Sequence, residues 1–511
     1  MKMPIVQSRR PFAMFCGLSM AVLCATLAGC NVGPKYLPPA MTAPQVYKES
    51  PTDSKGADEW SVAQPQDASL RGKWWEIYKD PDLNALEDQL NIDNQDVRQA
   101  FENFMRARAV VREVRSQYFP TISVGGSYNR SQTSSNVGSA VVTGAPSGKQ
   151  AQLFSLPADV SWEPDLWGRV RNTVRASQYT AQLTAADLES ERLTEQSSLA
   201  GYFFEIRGQD ALQEILDDTV EADRKALDIA KKRYDNGVDD QISVVEAQTT
   251  LASAQSEAIN NGIARAQYEH AIAALIGKPA STFSIPVQPG TSAPPAIPVG
   301  LPSQLLERRP DIAAAERNMA AANAQIGVAY AAFYPSLMLT ASGGVESSAI
   351  KNLLEWPSRF WSVGPSISQT VYDGGLRRAT VNQYIATYNA NVAAYRQSVL
   401  TAFQQVEDSL AAVRILSQQI RRQQEAVDSS ERFLKLQMGR YNSGIDPYID
   451  VIIAQTTLLS NQLSLTSLKI QQMTASVQLI AALGGGWDRS QLPTPAEVEQ
   501  KPSKSVTAIQ H

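Results

Sequence analysis

Two halves of the sequence match each other at a constant spacing, and this duplication constrains the fold more than any other feature. Arg233–Asp239 recurs as Arg440–Asp446, 207 positions later, and Ala247–Leu251 recurs as Ala454–Leu458 at the same spacing. A match of this length at one spacing indicates a single structural unit that is present twice. The chain can therefore adopt only a fold in which both halves share one architecture.

Each copy has the same order of predicted elements. A helix-forming stretch, 82–118 in the first copy and 304–332 in the second, ends before Pro120 or Pro335, because proline removes a backbone donor and closes a helix. Two short segments of alternating polarity follow, then a long helical stretch, a turn that contains glycine and a second helix. A Pro-rich connector, 286–303, separates the copies.

The long helical stretch of the first copy, 166–236, is the longest predicted element. It contains no proline, and its two internal glycines, Gly168 and Gly201, are isolated. At 1.5 Å per residue it would span about 105 Å. No ordinary globular domain holds such a helix, so the pattern predicts a coiled coil, a bundle strut or a tube wall. Apolar residues at three- and four-residue steps, with Ala and Ser between them, favour a long amphipathic hairpin that packs on its neighbours.

The short alternating segments predict β-strands. One face of Phe154–Glu163 is apolar and the other is polar, and 121–128, 337–345 and 361–371 alternate in the same way. About 9–11 residues is the length of a tilted transmembrane strand, which is apolar towards lipid and polar on its other face. A small soluble sheet with one buried face would show the same alternation.

The number of strands decides how such a sheet could be used. The sequence after residue 29 has no apolar run long enough for a membrane helix, so a spanning part would have to be a barrel. Two strands per copy give four per chain, whereas the smallest single-chain membrane barrels have about eight. Because lipid does not tolerate open strand edges, other chains must complete the cylinder. Three chains would supply twelve strands, and we therefore predict a trimer.

The N-terminal residues have the pattern of a secretory leader and a lipid anchor. Three basic residues precede an apolar run, 12–27, that is too short for a comfortable membrane span. The run ends in Leu-Ala-Gly-Cys30, which is similar to a bacterial lipobox, so we expect S-diacylglycerol and N-palmitoyl groups on Cys30 and no other cofactor. A leader that contains a cysteine by chance, with cleavage elsewhere, is the alternative. Asn31 follows, and the absence of Asp there favours the outer membrane.

The composition argues against catalysis and nucleic-acid binding. The two histidines, His270 and His511, are too few and too isolated for a His-based metal site or a Ser-His-Asp triad. The formal charge of −5 becomes −8 once the three basic residues of the leader are removed, which disfavours non-specific binding to nucleic acid. The run Gly484–Gly486 lacks a phosphate-loop pattern and is interpreted as a helix terminator. We therefore predict no catalytic residue, no metal site and no enzymatic activity.

A set of short motifs runs through the chain in a fixed order. The motifs are Cys30–Pro39, Trp74–Glu76, Phe119-Pro120, Trp162–Arg169, Arg308–Ile312, Asp373–Gly375 and the two Arg-Tyr-x-x-Gly turns. Each is weak alone, but the ordered set covers nearly all of the chain after the leader. It resembles the TolC-like outer-membrane efflux channel family, specifically the lipoprotein branch that serves multidrug efflux pumps of the resistance-nodulation-division type.

The resemblance implies an α+β membrane protein that forms a homotrimer. Its twelve-stranded β-barrel would lie in the outer membrane and continue into an α-helical barrel in the periplasm. The implied activity is passive export of drugs or other small molecules, in which an inner-membrane pump supplies the energy and a periplasmic adaptor protein joins pump and duct. We accordingly expect a lipid-anchored outer-membrane protein that contacts outer-membrane lipid and extends into the periplasm.

The repeat and the resemblance together divide the chain into six segments, and the N-terminal, connecting and C-terminal ones would build an equatorial domain. The segments are 1–29 (lipoprotein signal peptide), 30–81 (N-terminal anchor and equatorial segment), 82–285 (first repeat, with β-hairpin 121–164 and helical hairpin 166–277), 286–303 (connector), 304–483 (second repeat, with β-hairpin 337–372 and helical hairpin 374–483) and 484–511 (C-terminal equatorial segment and tail).

By the same resemblance, the two Arg-Tyr-x-x-Gly turns lie at the periplasmic tips of the helical hairpins, where a closed channel narrows. Glycine suits these turns because it adopts a positive φ without penalty. The arginines and tyrosines are expected either to hold the closed state through tip contacts or to pack between helices. The residues are Arg233, Tyr234 and Gly237 in the first copy and Arg440, Tyr441 and Gly444 in the second.

Carboxylates follow both turns and are candidate gate residues, namely Asp239, Asp240 and Glu246 in the first copy and Asp446 and Asp450 in the second. In a trimer, each inward-facing carboxylate becomes a ring of three that attracts cations. The alternative is solvated turn residues and acids that a helix N-terminus favours. We predict that Asp450 and Glu246 lie one to two turns inside their helices, beyond that dipole, and we favour Asp450. Family members often carry a second acid one turn later, where this chain has Ile453.

Two other functions stay open at this level. The first is the outer-membrane duct of a type I protein-secretion system, against which the lipobox and the N-terminal motif argue. The second is a lipid-anchored helical scaffold without a channel, in which the short strands form a soluble cap. Such a scaffold would share the long helices but would not need strands divided into an apolar and a polar face.

Overall fold

The structure is a computed structural model of the 511-residue chain, and it describes residues 31–39, 44, 46–49, 72–132, 134, 150–290, 293–297 and 305–500. The leader and Cys30, and with Cys30 the prediction of lipid attachment, lie outside the described residues.

Two copies of one series of elements make up the chain. In the first copy these are α1 (Pro81–Asp93), α2 (Gln95–Arg115), β1 (Thr121–Val124), β2 (Ser127–Gln132), β3 (Gln150–Trp162), α3 (Arg169–Asp235) and α4 (Gln241–Leu275). In the second they are α5 (Leu305–Arg308), α6 (Pro310–Ala331), β4 (Ser336–Ser347), β5 (Arg359–Ser368), α7 (Leu376–Asn442) and α8 (Tyr448–Ala482), before a short α9 (Pro495–Glu499). The long helices α3 and α7 have 67 residues each, and their partners α4 and α8 have 35 each. The duplication therefore extends to the length of every long helix.

The helix before the first strands is interrupted, which the prediction of a single stretch over 82–118 missed. Asn94 ends α1, and its side chain accepts a hydrogen bond from Val97 N at 2.9 Å, which caps α2. The Asn94 amide also donates to the carbonyl oxygen of Leu275 at 2.9 Å. A local cap together with a tertiary bond outweighs the helical pattern on both sides of this residue.

One antiparallel sheet contains all the described strands, in the order β1/β2, β3, β4, β5. β1 and β2 both pair with β3 and form one strand position that is interrupted at Gly125 and Gly126. The interruption lies opposite Pro157, which has no N–H to offer the ladder. The predicted total of four strand positions per chain is therefore confirmed.

The register of the sheet places apolar residues opposite apolar residues. Ile122 faces Val160, Leu156 faces Val345, and Leu337 faces Ile367. Much of this face is uncovered in one chain: Trp361 is 81% exposed and Val363 is 71% exposed. A soluble cap would bury these side chains, so an apolar face that is left open to this extent is a contact surface.

The helices form a curved wall below the sheet. Near the sheet the order of packed helices is α2, α3, α6, α7, and farther away it is α4, α3, α8, α7. At 1.5 Å per residue, α3 and α7 each run about 100 Å and so belong to both levels. α7 forms one edge of the wall throughout. None of the helices in the described part of the chain is long and apolar enough to cross a membrane.

The N-terminal residues 31–39, 44 and 46–49, here called the strap, lie along one face of this wall. Val32 N donates to the carbonyl oxygen of Trp167 at 3.1 Å. The Tyr36 hydroxyl donates to the carboxylate of Glu316 on α6. Farther along, the N–H groups of Lys48 and Glu49 donate to the Glu407 carboxylate on α7. The strap therefore crosses α3, α6 and α7 on one side.

Segments from both ends of the chain meet the wall at mid-height. After α8, Gly484 and Gly485 have φ of 94° and 58° and turn the chain away, as expected of a helix terminator. Gly72 N then donates to the carbonyl oxygen of Gly486 at 3.2 Å. The hydrophobic residues buried here form the equatorial cluster: Trp74, Trp75, Leu83, Leu90, Leu199, Ala200, Phe203, Ile206, Ile272, Ile276, Ile285, Val477 and Ile480.

The close approach of β3 and β4 at Gly344 provides a test of the sheet. A Cβ at this position would overlap the carbonyl oxygen of Leu156, whereas a Cβ at Gly364 on β5 would meet no atom within 4 Å. We expect Gly344→Val to destabilise the sheet by about 1–3 kcal/mol or more, as overpacking does, and to lower the fraction of SDS-resistant trimer on unheated gels. Gly364→Val is the matched control. Equal trimer fractions for the two variants would contradict the described register.

Candidate functional site at the hairpin tips

The two turns that join the long helices have the same backbone. Gly237 has φ of 70° and Gly444 has φ of 73°, so both occupy the left-handed region that glycine tolerates best. In each turn the glycine N–H donates to the carbonyl oxygen of the preceding tyrosine, Tyr234 or Tyr441, at 2.9 Å. The Arg-Tyr-x-x-Gly motif is thus a helix C-terminal turn that both copies share.

A network of side chains joins the tip of the first hairpin to that of the second. The Tyr441 hydroxyl donates to Asp239 Oδ2 at 3.0 Å. The guanidinium carbon of Arg233 lies 4.5 Å from the Tyr441 ring centroid, and Arg233 Nη1 donates to the Tyr441 carbonyl oxygen at 3.3 Å. Arg233 Nε also lies 3.4 Å from Asp239 Oδ2. Three side chains therefore hold the two tips together, and we call them the tip network.

Asp239 is held in its ionised form. Burial acts to raise its pKa, but hydrogen bonds from Ser243, from the backbone of Asp240 and from Tyr441, together with the charge of Arg233, outweigh burial and hold the pKa of Asp239 below its usual range. Burial and the same hydrogen bond raise the pKa of Tyr441 to about 12. The tyrosine therefore remains a donor and the aspartate an acceptor at any physiological pH.

Two other candidate carboxylates have local structural partners. Arg440 donates to Asp446 from two nitrogens, with Nη2 to Oδ1 at 2.7 Å, and this pairing lowers the pKa of Asp446. Asp240 caps α4 by accepting a hydrogen bond from Ser243 N at 3.2 Å. Tyr234 is 45% exposed and takes no part in the tip network. The equivalent tyrosines of the two copies thus have different environments.

The position of Asp450 differs from the prediction. α8 begins at Tyr448, so Asp450 lies in its first turn, where its N–H donates to the Pro447 carbonyl oxygen at 3.3 Å. The prediction of one to two turns inside the helix was wrong because Pro447 disfavours helical backbone at the residue before it and delays the helix start. The helix dipole therefore acts on Asp450. Glu246 is the sixth residue of α4 and does lie in the second turn.

The repeat relates these two acids in a way that the sequence analysis missed. At the spacing of 207, Asp450 corresponds to Ser243 and Glu246 corresponds to Ile453. Each copy therefore has two equivalent positions one turn apart, and one of the two is an acid. In the first copy it is the second position, Glu246, and in the second copy it is the first position, Asp450. Asp450 and Glu246 are both half-buried, and neither side chain has a hydrogen-bond partner among the described residues.

A buried acid just above the tips was also missed. Asp223 on α3 is 2% exposed, although Leu216 and Ala230, seven residues before and after it, are ordinary apolar seam residues. Tyr448 lies close enough for the charge of Asp223 to contribute to raising the tyrosine pKa, after burial. The seven-residue spacing was the available signal, because it places residue 223 in the same helix seam.

Comparison with known proteins agrees with this architecture. The family model described as "Outer membrane efflux protein" matches residues 86–278 and 301–485. The chain belongs to the outer membrane efflux protein family. The chain is 30% identical to the probable efflux pump outer membrane protein TtgC of Pseudomonas putida over 473 residues, which cover 92% of this chain and 95% of TtgC. It is 32% identical to the solvent efflux pump outer membrane protein SrpC of Pseudomonas putida, covering 91% and 97%.

A solved structure gives the same fold. The outer-membrane channel OprN superposes with a TM-score of 0.80 and 27% sequence identity, covering 90% of this chain and all of the OprN chain. The resemblance to the TolC-like outer-membrane efflux channel family is therefore confirmed, and so are the duplicated α+β fold, the trimeric barrel and the outer-membrane location. The chain is the outer-membrane channel of a tripartite efflux system, a passive duct and not an enzyme.

Replacing Asp223 by Asn tests the buried acid above the tips. Burial raises the pKa of Asp223 to about 6 from 3.8. Between these pH values the native chain holds a proton that the unfolded chain has lost, so the free energy of unfolding decreases as the pH rises through this window. Above it, the buried carboxylate costs roughly 3 kcal/mol. We expect Asp223→Asn to remove this cost at neutral pH and to change little in acid.

The measurement is the melting temperature of the purified trimer at about pH 7.5, above the window, and at about pH 3.5, below it. Asp223→Asn should raise it at the higher pH only. Asp218→Asn, an exposed acid on the same helix, is the control and should shift it at neither pH. An equal shift of the Asp223 variant at both pH values would show that its carboxylate is not destabilising in the native trimer.

Proposed function

We propose that this channel exports drugs or other small molecules and that the tip network latches its periplasmic end. The proposal on cargo is supported by the relatives: SrpC is named for solvent efflux, and TtgC is named as a probable efflux pump protein. Export of folded or unfolded protein by a type I secretion system is the runner-up, and none of the relatives reported above is named for it.

The bond from Tyr441 to Asp239 is the observation that carries the latch. It links α7 of the second hairpin to the turn after α3 of the first, so opening the tips requires breaking it. The ring of Tyr441 is 2% exposed and packs with Tyr448, Val451 and Ala230, which makes the closed arrangement a packed one. The tip network is therefore a latch with an apolar base and a charged hydrogen bond.

Asp450 and Glu246 form the cation-attracting part of the proposed gate. Neither carboxylate accepts a hydrogen bond in the described chain, unlike Asp239, Asp240 and Asp446, although the charge of Asp450 acts on Arg440. Threefold symmetry turns them into two rings of three carboxylates about one turn apart, since the repeat places them at adjacent equivalent levels. Such rings favour cations over anions. The second copy has the neutral Ile453 at the position that corresponds to Glu246, so Glu246 of the first copy alone supplies the charge of that ring.

The anchor at Cys30 is supported by the position of the next residue. Asn31 lies against Gly168, and Val32 is bonded to the Trp167 carbonyl oxygen, at the end of α3 that adjoins the sheet. Acyl chains on residue 30 would therefore reach the bilayer that the apolar face of the sheet contacts. Two or more chains give stable membrane binding, because each buried CH₂ contributes about 0.8 kcal/mol. Outer-membrane lipid is thus a partner of both the anchor and the sheet.

Tyr441→Phe is the test of the latch. The change removes one hydrogen bond to a charged group per protomer, worth roughly 1.5–3 kcal/mol, and keeps the packed ring. We expect the trimer in planar bilayers to spend at least about tenfold more time in high-conductance states. Tyr448→Phe is the matched control, because its ring lies in the same cluster and its hydroxyl is not part of the tip network. Wild-type traces from Tyr441→Phe would refute the latch.

Removing Asp450 and Glu246 in turn tests the rings. We expect Asp450→Ala and Glu246→Ala each to reduce the preference for K⁺ over Cl⁻ and to weaken block by divalent cations, because each removes three charges from the narrowest part of the duct. The reversal potential in a KCl gradient measures the preference. Asp228→Ala removes the same charge from an exposed position on α3 and should leave it unchanged. Unaltered selectivity in both Asp450→Ala and Glu246→Ala would show that other residues form the gate.

A further inference from the structure

A large groove lies on the helical wall at the level of the equatorial cluster. Its volume is about 860 Å³, and its walls come from all four helices of the lower level, α4, α3, α8 and α7, together with the first residues of α6. Because α4 and α7 are the two edges of the four-helix arc, a groove that both of them line lies on the concave side. The concave side of a tube wall is its lumen.

The contacts of the other face agree with this placement. On α3, Leu199 and Phe203 point into the equatorial cluster, whereas Gly201 and Glu205 line the groove, about 120–160° around the helix from them. On α7, Glu407 binds the strap, whereas Asp408, the next residue, faces the groove. Val477 belongs to both the cluster and the groove lining, and Tyr202 and Tyr268 pack against the cluster, so the groove and the cluster adjoin across one layer of helices. The strap and most of the equatorial segments therefore lie on the convex, outer side of that layer. On the inner side, three copies of these segments, each about 10 Å thick, would fill the bore of a twelve-helix tube.

The charge of the groove is negative. Arg309 is the one basic residue among the described residues that line it, and it is 8% exposed. Its guanidinium donates four hydrogen bonds, to Asp311, to the Ala482 carbonyl oxygen and to Gln405. In the part of the chain that the structure describes, Glu205 and Asp408 have no basic partner, and they are the net charges that the groove presents to the lumen.

One end of the groove combines an aromatic wall with a carboxylate. The rings of Tyr202 on α3 and Tyr268 on α4 lie 5.8 Å apart at 34°. Glu205 is one turn after Tyr202 on the same helix and interacts with the Tyr268 hydroxyl. Burial raises the pKa of this carboxyl, and that hydrogen bond partly offsets the rise. A partly desolvated acid beside two aromatic faces is suited to an organic cation with an aromatic ring.

We propose that this groove is a binding station for aromatic monocations of drug size, with Glu205 facing the positive charge and Tyr202 and Tyr268 contacting the ring. The volume falls within the range of small-molecule sites, about 300–1,000 Å³. Asp408 on the opposite wall adds a second, more exposed negative charge. The proposal rests on the proposed export of small molecules. It names one class of exported compound that the groove would bind during passage through the duct. Threefold symmetry gives three such stations per channel.

Ethidium, an aromatic monocation that fluoresces on binding, is the probe. We expect the purified trimer to bind about three ethidium ions per channel, and Glu205→Gln to weaken binding about tenfold. Asp408→Asn, an exposed change that does not disturb the Tyr268 contact, should weaken it severalfold and serves if the Glu205 variant assembles poorly. Glu205→Asp should retain most of the affinity. The neutral probe N-phenylnaphthylamine should bind wild type and Glu205→Gln equally.

Two comparisons make the result decisive. Asp450→Ala should bind ethidium as wild type does, and loss of binding in this variant but not in Glu205→Gln would place the cation at the tips and overturn the proposal. Wild-type affinity in both Glu205→Gln and Asp408→Asn would overturn it as well. The KCl conductance of the same samples is recorded separately. A trimer that binds ethidium as described but conducts no ions would refute the exit-duct function and leave the station standing.

Discussion

The open edges of a four-stranded sheet are the constraint on which the rest of the molecule depends. In lipid, each unpaired backbone group costs several kcal/mol, and one chain leaves the outer edges of β1/β2 and β5 without partners among the described strands. Copies of the chain satisfy them, since the edge at β5 is complementary to the edge at β1/β2. The helical wall follows the same rule, because α7 is the edge helix at both levels. Closure of the sheet therefore sets the curvature and the copy number of the whole tube.

Duplication supplies two equivalent hairpins, but the proposed latch depends on a difference between them. Both turns have the same backbone, with glycine at the same φ within a few degrees. Tyr441 is nevertheless buried and bonded across to Asp239, whereas Tyr234 is half exposed. If Tyr234 and Tyr441 were bonded in the same way, the two hairpin tips of each chain would be equivalent, and each bond would join equivalent groups. Because only Tyr441 is bonded, the hydrogen bond runs from the second hairpin to the first, as the proposed latch requires.

The sequence allowed the regular features to be predicted, because these depend on local period and spacing. The lengths of α3 and α7, the turn at Gly237 and the alternation in Phe154–Glu163 all follow from patterns within one segment. The start of α8 was missed through one local rule, the effect of Pro447 on the residue before it. The break at Asn94 and the burial of Asp223 depend on partners far away in the sequence. Such partners are chosen by packing, which periodicity does not encode.

The two proposed sites of negative charge, the carboxylate rings at the tips and the groove, are well separated along the duct, and their separation has a physical consequence. Glu205 and Arg233 are 28 residues apart on one continuous helix, so the groove and the tips lie roughly 40 Å from each other. This is several times the Debye length of about 8 Å at physiological salt. The carboxylates at the tips therefore neither raise the pKa of Glu205 nor contribute to the potential at the groove. On these proposals, a cation leaving the tips meets the groove as an independent second site, and each site can change in evolution without altering the other.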